Sequence, residues 1–260
     1  MIDDREVRSR AEALGVTEAQ IRRDHLLSHL IAALPHLPEV AFVGGTALNR
    51  THLLDRRLSE DLDLYLTEEN ISADGLFDCL VSTNRREFPD LEAAARRRQA
   101  DVATATLRSS GNVVRVQVIS RRHEWSLLPF DPTAVSLFYT DLPDAVTLPV
   151  PTRAAFTALK LTAYVERRSP RDLYDLDGLL IRGRLARGTT DFVRNLLGRD
   201  MTLQELPEPP SQDEWETELG HQVRTLDPPA EAYGRVVSAL AAAARRRTLP
   251  EERQLPSSGG

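Results

Sequence analysis

The segment Val40-Ala41-Phe42-Val43-Gly44-Gly45-Thr46 begins with an apolar run short enough for a buried strand and ends in a double glycine. Gly44 and Gly45 permit a tight turn and a close approach of the backbone to a ligand, because neither carries a Cβ. Thr46 is expected to cap a helix that runs to about Leu54, so that its hydroxyl and several N–H groups point into the turn. Such a helix start attracts phosphate. The segment therefore predicts a strand, a phosphate-binding turn and a helix.

A second segment, Asp61-Leu62-Asp63-Leu64-Tyr65-Leu66, alternates polar and apolar residues as a half-buried strand does. Residues two apart on a strand share a face, so Asp61 and Asp63 should project together. Neighbouring carboxylates repel each other, and a divalent cation relieves that repulsion. A solvated Asp-x-Asp or an ordinary Gly-Gly-Thr turn is the plainer interpretation of each segment alone. Together they predict the equipment for metal-assisted nucleotidyl transfer.

Composition narrows the class of protein. The length of 260 residues predicts one or two domains. No apolar run of eighteen residues occurs and the first ten residues are charged, so we expect a cytoplasmic protein with no membrane association. Cys79 is the single cysteine, which excludes an intrachain disulfide and a cysteine zinc cluster.

Charge is distributed unevenly. The formal net charge of −6 gives no global attraction to nucleic acid. Five arginine clusters are either solvated faces or parts of a phosphate-backbone groove; they are Arg85-Arg86, Arg96-Arg97-Arg98, Arg121-Arg122, Arg167-Arg168 and Arg245-Arg246-Arg247. Lys160 is the only lysine among 33 basic residues. In that background, either it survives by chance or it marks a place that needs a compact ammonium.

Upstream of the double glycine, Thr17-Glu18-Ala19-Gln20 is a capping box and predicts a helix that ends before Pro35. His25, His29 and His36 are interpreted as surface or packing histidines without metal-ligand partners.

Downstream of the Asp-x-Asp strand, six more helices are predicted: residues 73–83, a helix capped by Thr152 that runs through Tyr164, a helix that starts at Arg171, and residues 190–197, 211–226 and 230–246. A charged connection follows the first of them. The runs 102–107 and 113–119 predict a hairpin across Arg108-Ser109-Ser110-Gly111-Asn112.

The two central segments resemble the polymerase-beta-like nucleotidyltransferase superfamily, in which Gly-Gly/Ser, a helix and an Asp-x-Asp strand follow in this order. More narrowly, Gly44-Gly45-Thr46-Ala47-Leu48-Asn49, Arg57 and Ser59-Glu60-Asp61-Leu62-Asp63-Leu64 resemble the AbiEii/AbiGii toxin family. The resemblance implies that Gly44, Gly45, Thr46, Arg57 and Ser59 bind nucleotide and that Asp61 and Asp63 are catalytic and hold Mg²⁺.

The superfamily commonly carries a third carboxylate on a strand in the hairpin region. Here the corresponding face presents Arg115, Gln117 and Ile119. The third metal ligand is therefore absent, replaced by Gln117, or supplied from elsewhere, for instance by Asp101.

The C-terminal half carries the second part of the resemblance, a Lys160-Leu161 helix followed by Arg171-Asp172-Leu173-Tyr174-Asp175-Leu176. It implies that Lys160 and Asp172 join the catalytic site. An ammonium suits triphosphate oxygens, and Asp172 would orient it or accept a proton. Asp175 is interpreted as the partner of Arg171 at i, i+4.

The fold class predicted is an α/β (α+β) nucleotidyltransferase domain with a mixed sheet, followed by an all-α C-terminal domain. The expected boundaries are 1–148 for the nucleotidyltransferase domain with its N-terminal helices, 149–249 for the helical domain and 250–260 for a disordered tail.

By resemblance, the function expected is that of a monomeric toxin from a bacterial type IV toxin–antitoxin system. It would use Mg²⁺ and transfer NMP from an NTP to RNA, in the first place to the 3′ end of tRNA. Its antitoxin would be a separate winged-helix protein. Alternatives with the same first motif are an antibiotic-modifying nucleotidyltransferase, a kinase or protein-nucleotidylating enzyme, and a non-catalytic nucleotide-binding module.

Overall fold

The computed structural model describes residues 2–37, 39–54, 56–68, 72–120, 123–181 and 185–248, with backbone alone at 123–124 and 246–248. The elements in chain order are α1 (Asp4–Leu14), α2 (Glu18–Ala33), β1 (Val40–Val43), α3 (Gly44–Asn49), β2 (Asp61–Leu66), α4 (Ala73–Asn84), β3 (Glu92–Gln99), β4 (Val102–Ser109), β5 (Asn112–Ile119), α5 (His123–Ser126), β6 (Phe130–Ser136), β7 (Ala145–Pro151), α6 (Arg153–Arg167), α7 (Pro170–Leu180), α8 (Thr189–Leu197), α9 (Gln212–Leu219) and α10 (Pro229–Thr248).

Five strands form the main sheet in the order β1-β2-β5-β4-β3. Strand β2 pairs antiparallel with β1 and parallel with β5, whereas β5, β4 and β3 pair antiparallel. The predicted mixed sheet is therefore confirmed. The parallel pair places the start of β2 beside the middle of β5, so the Asp-x-Asp segment lies in the interior of the sheet and not at its edge.

The main core lies between this sheet and helices α2 and α4. The capping box at Thr17 and Gln20 is present, and it starts α2 as predicted. Four leucine or isoleucine residues of α2 and three apolar residues of α4 are fully or almost fully buried against the strands; they are Leu26, Leu27, Leu30, Ile31, Leu76, Phe77 and Leu80. Burial of such side chains contributes roughly 1.5–3 kcal/mol each. This packing holds β1 and β2 rigidly below the site.

Three sequence expectations about elements are wrong. Helix α3 begins at Gly44 and ends at Asn49, and Thr46 lies inside it and does not cap it. The charged connection after α4 is the edge strand β3, bulged between Ala94 and Arg97. Its polar, exposed side chains hide the strand pattern, and its pairing with β4 stabilises it. The helix predicted over 211–226 ends at Leu219.

Strands β6 and β7 form a separate two-stranded sheet. From Arg153 onward, the described residues form helices and no strand. A second core joins these helices around Tyr164, Leu176 and Trp215. Strand β7 passes through the predicted boundary at 148–149, and the division into two domains stays a prediction. The predicted tail, 250–260, lies outside the described residues. Among the described helices, none is both long and apolar enough to cross a membrane.

Candidate active site

The glycine turn is built around one carboxylate. Gly44 has a φ of 78°, in the left-handed region that favours glycine. A Cβ on Gly44 would lie 2.1 Å from Oδ2 of Asp63, and a Cβ on Gly45 would lie 2.7 Å from Nη2 of Arg57 and 3.2 Å from Oγ of Ser59. The double glycine therefore makes room for the polar side chains of the following strand and its approach. Sequence reasoning selected all five of these residues, and the structure brings them together.

Thr46 holds the turn to the neighbouring strand. Its side chain is buried, and its hydroxyl donates a hydrogen bond of 2.5 Å to the backbone carbonyl of Asp61. The Thr46 hydroxyl is thus used within the protein. Its contribution at this site is to fix α3 against β2, and the expectation that the hydroxyl points into the turn is wrong.

Asp61 and Asp63 occupy one face of β2, level with Arg115 and Gln117 of the parallel strand β5. The carboxylate of Asp61 accepts a hydrogen bond of 2.8 Å from the half-exposed Arg115 guanidinium. Gln117 is the β5 residue directly beside Asp63, at the position where the superfamily commonly has an acid. Asp101 precedes β4 by one residue.

Strand register removes Asp101 from this site. Thr104 of β4 is the residue opposite Gln117. Asp101 therefore lies three residues further along the strand direction, a displacement of about 10 Å, and two strands away. The register thus excludes Asp101 as the third ligand and places Gln117 directly beside Asp63.

The pKa of Asp63 is raised to about 6, first by burial and then by the neighbouring charge of Asp61. Arg115, Lys160 and Arg167 each lower it, but together they do not offset the two causes. The two carboxylates are thus incompletely compensated by the protein's own cations. Oxygen donors of this kind, beside a turn that exposes backbone amides, fit a hard divalent cation such as Mg²⁺.

Lys160 lies in the helical half and is buried, with 9% of its surface exposed. Its Nζ lies 3.0 Å from Oδ1 of Asp172 and 2.8 Å from Oδ2 of Asp175. Burial lowers the pKa of Lys160, but the two carboxylates outweigh it and leave the pKa above its ordinary value. The ammonium is therefore charged, and two of its three N–H bonds are directed at fixed acids.

Asp175 connects this lysine to the glycine turn. The fully buried carboxylate accepts bidentate hydrogen bonds of 2.9 Å each from Nε and Nη2 of Arg57. Burial opposes ionisation, but Arg57 and Lys160 hold the pKa of Asp175 below its ordinary value. The expected Arg171–Asp175 pair is wrong, because Arg171 pairs with Glu218 at 3.0 Å.

Asp172 is fully buried and compensated by two cations. Besides Lys160, it accepts hydrogen bonds of 2.7 and 3.0 Å from Nε and Nη2 of Arg167. Both Lys160 and Arg167 also act electrostatically on Asp63 across the cleft. The structure therefore brings the C-terminal lysine motif to the Asp-x-Asp strand. Arg167 and Asp175 are the members of this network that sequence reasoning missed as site residues; the only signal was that Asp172 and Asp175 share a helical face.

Arg56, like Arg57, forms an ion pair with an acid of α7. Its guanidinium donates to Oδ2 of Asp177 at 2.7 Å and lies 4.4 Å from the ring centre of Tyr174. Arg56 and Arg57 are thus both held by acids of α7, in ion pairs of 2.7 and 2.9 Å.

A cavity of about 500 Å³ opens beside the glycine turn. Its wall combines residues of the turn and the arginine-rich connection with aromatic side chains; they include Thr46, Asn49, Arg50, Ser59, Phe138 and Tyr139. Its volume is that of a small-molecule site, and its polar groups are few and fixed.

The arginine clusters do not merge into one surface in the described residues. Arg96 pairs with Asp74 and Asp78, Arg167 with Asp172, and Arg168 with the backbone carbonyls of residues 208 and 209. Arg121-Arg122 lies outside the described residues, as do the side chains of 246–247. Two of the clusters, 96–98 and 167–168, are therefore partly used in local pairs.

Comparisons with known proteins identify the fold and the family of the chain. A structural comparison matches MenT4, a nucleotidyltransferase toxin from Mycobacterium tuberculosis H37Rv, with a TM-score of 0.64 and 21% identity over 95% of this chain and 89% of that one. At this identity the match shows the fold. No curated protein matches the chain significantly. The family model described as nucleotidyl transferase AbiEii toxin, type IV TA system, matches residues 25–245. The chain therefore belongs to the AbiEii family of nucleotidyltransferase toxins of type IV toxin–antitoxin systems.

Proposed function

We propose that the protein transfers a nucleoside monophosphate from an NTP to a hydroxyl of RNA, with pyrophosphate as the leaving group, and that the acceptor is the 3′ end of tRNA. The observation that carries the reaction class is the position of Asp63. Its carboxylate lies against the Gly44 turn, beside Asp61, and within electrostatic range of Lys160 and Arg167. This proximity of a glycine turn, two acids and two cations supports phosphoryl chemistry at this place.

Asp61 and Asp63 are the residues that would hold Mg²⁺. The fit rests on their shared face, on the burial and the neighbouring charge of Asp61 that raise the pKa of Asp63, and on the oxygen donors that both carboxylates offer. Mg²⁺, when bound, would neutralise phosphate charge and acidify an attacking hydroxyl. The half-exposed Arg115 that now pairs with Asp61 can move away at small cost, since such pairs contribute about 0–1 kcal/mol.

The remaining roles follow from the contacts. Backbone amides of Gly44 and Gly45, at the start of α3, are suited to hold triphosphate oxygens. Ser59 packs on the same turn and can donate its hydroxyl. Arg57 packs against the glycine turn, and its hydrogen bonds to Asp175 fix its position. Lys160, fixed by Asp172 and Asp175, offers its third N–H bond to the leaving phosphates.

The helical half after Arg153 is proposed to act as an all-α domain that closes the cleft over the nucleotide. The buried Arg57–Asp175 pair joins the two halves at this point. Ion pairs so deeply buried hold their partners in one arrangement, because separating them leaves uncompensated charge. This arrangement supports a fixed distance between Lys160 and the glycine turn.

RNA as acceptor rests on family membership and on exposed arginines such as Arg97 and Arg98, which attract phosphate backbone. A toxin of this class implies an antitoxin partner, and we propose a separate winged-helix protein. We also propose that the toxin is monomeric and cytoplasmic.

The test incubates the purified chain with total bacterial RNA, Mg²⁺ and each α-labelled NTP separately. We expect label in tRNA with one NTP, lost in Asp63→Asn and kept in Asp131→Asn, a matched exposed strand aspartate. Label from a γ-labelled NTP would show phosphorylation in place of nucleotidyl transfer. Label on an aminoglycoside but not on RNA would overturn the RNA acceptor alone.

Lys160→Arg tests the lysine in the same assay. A planar guanidinium cannot replace a compact ammonium between two acids fixed at 2.8 and 3.0 Å, so we expect strongly reduced transfer. Full activity of the folded variant would refute the proposed role of Lys160.

A further inference from the structure

Two histidines and one aspartate converge on the side of helix α2, in a cluster that includes neither Asp61 nor Asp63. His25 and His29 are one turn apart on α2, and the loop between β6 and β7 brings Asp141 to them from more than a hundred residues away. His25 is buried, with 3% of its surface exposed. The prediction that these histidines have no metal-ligand partner is therefore wrong, and Asp141 was missed because nothing in the sequence links it to α2.

The three donor atoms have the spacing of a tetrahedral metal site. Oδ2 of Asp141 lies 2.9 Å from Nε2 of His25 and 3.4 Å from Nε2 of His29, and the two Nε2 atoms are 3.1 Å apart. Zinc bonds of about 2.0–2.2 Å in tetrahedral geometry separate neighbouring ligands by roughly 3.3–3.5 Å. An ion at the centre thus requires shifts of only a few tenths of an ångström.

Hydrogen bonding alone satisfies this arrangement poorly. If both Nε2 atoms carry protons, two donors face each other at 3.1 Å. If one is unprotonated, its lone pair faces the carboxylate of Asp141. A cation removes both conflicts, because all three atoms then present lone pairs to it.

The surroundings suit a transition metal. Phe88 and Tyr139 pack edge-on against the histidine rings, with centroid distances of 5.2 Å from His29 and 4.9 Å from His25. Such an apolar shell limits solvent access and holds ligand rings in place. Glu87 lies within electrostatic range of His29 and Asp141, which adds negative charge nearby.

We propose that His25, His29 and Asp141 bind a divalent transition metal, with Zn²⁺ as the best match to two imidazoles and one carboxylate. The site is independent of Asp61 and Asp63, which offer only oxygen. It clamps the β6–β7 loop onto α2. The phenol of Tyr139 donates to Asp24, and Asp24 accepts from Arg50, so the clamp braces the wall of the cavity beside the glycine turn.

The test uses the full chain after removal of metal by chelation. Zn²⁺ binding is measured by calorimetry, and Co²⁺ is used as a spectroscopic probe of tetrahedral coordination. We expect one Zn²⁺ per chain and a rise in the unfolding temperature of about 5 °C at saturating metal. His29→Gln and Asp141→Asn should each weaken binding ~100-fold or more, since loss of an outer-shell partner alone costs 10–100-fold.

Three controls separate this site from others. His36→Gln removes an exposed histidine of the same region and should leave Zn²⁺ binding unchanged. Asp63→Asn should also leave it unchanged, so a failure of the proposed nucleotidyl transfer and a failure of this site are distinguishable. Absence of Zn²⁺ and Co²⁺ binding to the folded chain, or equal binding by His29→Gln and Asp141→Asn, would overturn the proposal.

Discussion

The two groups of acids around the cleft are compensated in opposite ways. Asp172 and Asp175 on α7 are fully buried, and each accepts hydrogen bonds from two cationic side chains. Asp61 and Asp63 on β2 are half-buried, and among the described residues their ion pair is the contact of Asp61 with the half-exposed Arg115. The negative charges of Asp172 and Asp175 are fully paired with cations of the protein, whereas those of Asp61 and Asp63 are only partly paired. A site that binds a cation needs carboxylates whose charge is only partly paired. It also needs fully paired groups around them that hold the site rigid.

The largest effect should come from removing one of the two fully paired acids, Asp172 and Asp175. Asp175→Asn leaves the buried charges of Arg57 and Lys160 without their shared partner, and should lower the free energy of unfolding by about 3–5 kcal/mol. Urea unfolding followed by circular dichroism measures it. Asp191→Asn, at an exposed ion pair on α8, should change it by less than ~1 kcal/mol. Equal effects would mean that the buried network does not hold the halves together.

Gly44→Ala tests the contact between turn and carboxylate. The added Cβ would lie 2.1 Å from Asp63, and the left-handed backbone adds strain of about 1–2 kcal/mol. We expect loss of nucleotidyl transfer together with roughly 2–3 kcal/mol of stability. Gly198→Ala carries similar strain at a φ of 69° but meets no atom within 4 Å, so it should lose only about 1 kcal/mol and keep its activity. Retained activity in Gly44→Ala would separate the turn from the site.

The partly paired carboxylate of Asp63 should make the free energy of unfolding depend on pH. The folded-state pKa of Asp63, about 6, lies above its ordinary value of 3.8, so folding favours its protonated form. Stability from this group is fully present below pH 3.8 and is lost as the pH rises through 6. In chelator, Asp63→Asn should therefore be more stable than wild type by about 1–2 kcal/mol at pH 7.5, a value reduced for solvent screening. The difference should vanish near pH 4; a constant difference would contradict the raised pKa.

The smallest effect should come from Arg115→Gln. The pair with Asp61 is half exposed, so the free energy of unfolding should change by less than ~0.5 kcal/mol. Removing this cation should instead tighten Mn²⁺ binding without nucleotide, by roughly two- to five-fold for one nearby charge in a high dielectric. Weaker binding would mean that Arg115 supports the cation site.

The sequence was sufficient for the sheet's central part. Short-range patterns specify β1, the double glycine, the Asp-x-Asp strand and the hairpin of β4 and β5, and the hairpin turn lies at Ser110 and Gly111 as predicted. Helix α4 was predicted over 73–83 and is observed at Ala73–Asn84. These elements form where local propensity and burial agree.

The strands that sequence analysis missed pair with near neighbours in the chain, but their own residues carry no strand pattern. Strand β3 has an exposed, arginine-rich sequence and exists because β4 pairs with it. Strands β6 and β7 contain Pro132 and Pro149, which argue against strands unless an edge accommodates them.

In the candidate site, the contacts that sequence analysis missed join residues far apart in the chain. Residue type alone indicated Asp61, Asp63 and Lys160. The links through Arg57 and Asp175 join residues 118 apart, and the histidine cluster joins residues 116 apart. Chain topology decides such contacts, and no periodicity in the sequence reports them.

The central claim is that Asp61 and Asp63 take up a divalent cation together with the triphosphate on the glycine turn. Mn²⁺ binding in the presence of a non-hydrolysable NTP, followed by electron paramagnetic resonance, tests it most directly. We predict one nucleotide-dependent Mn²⁺ site that Asp61→Asn and Asp63→Asn each weaken about 100-fold, the size expected for loss of a ligand. Unchanged nucleotide-dependent binding in both folded variants would contradict the claim.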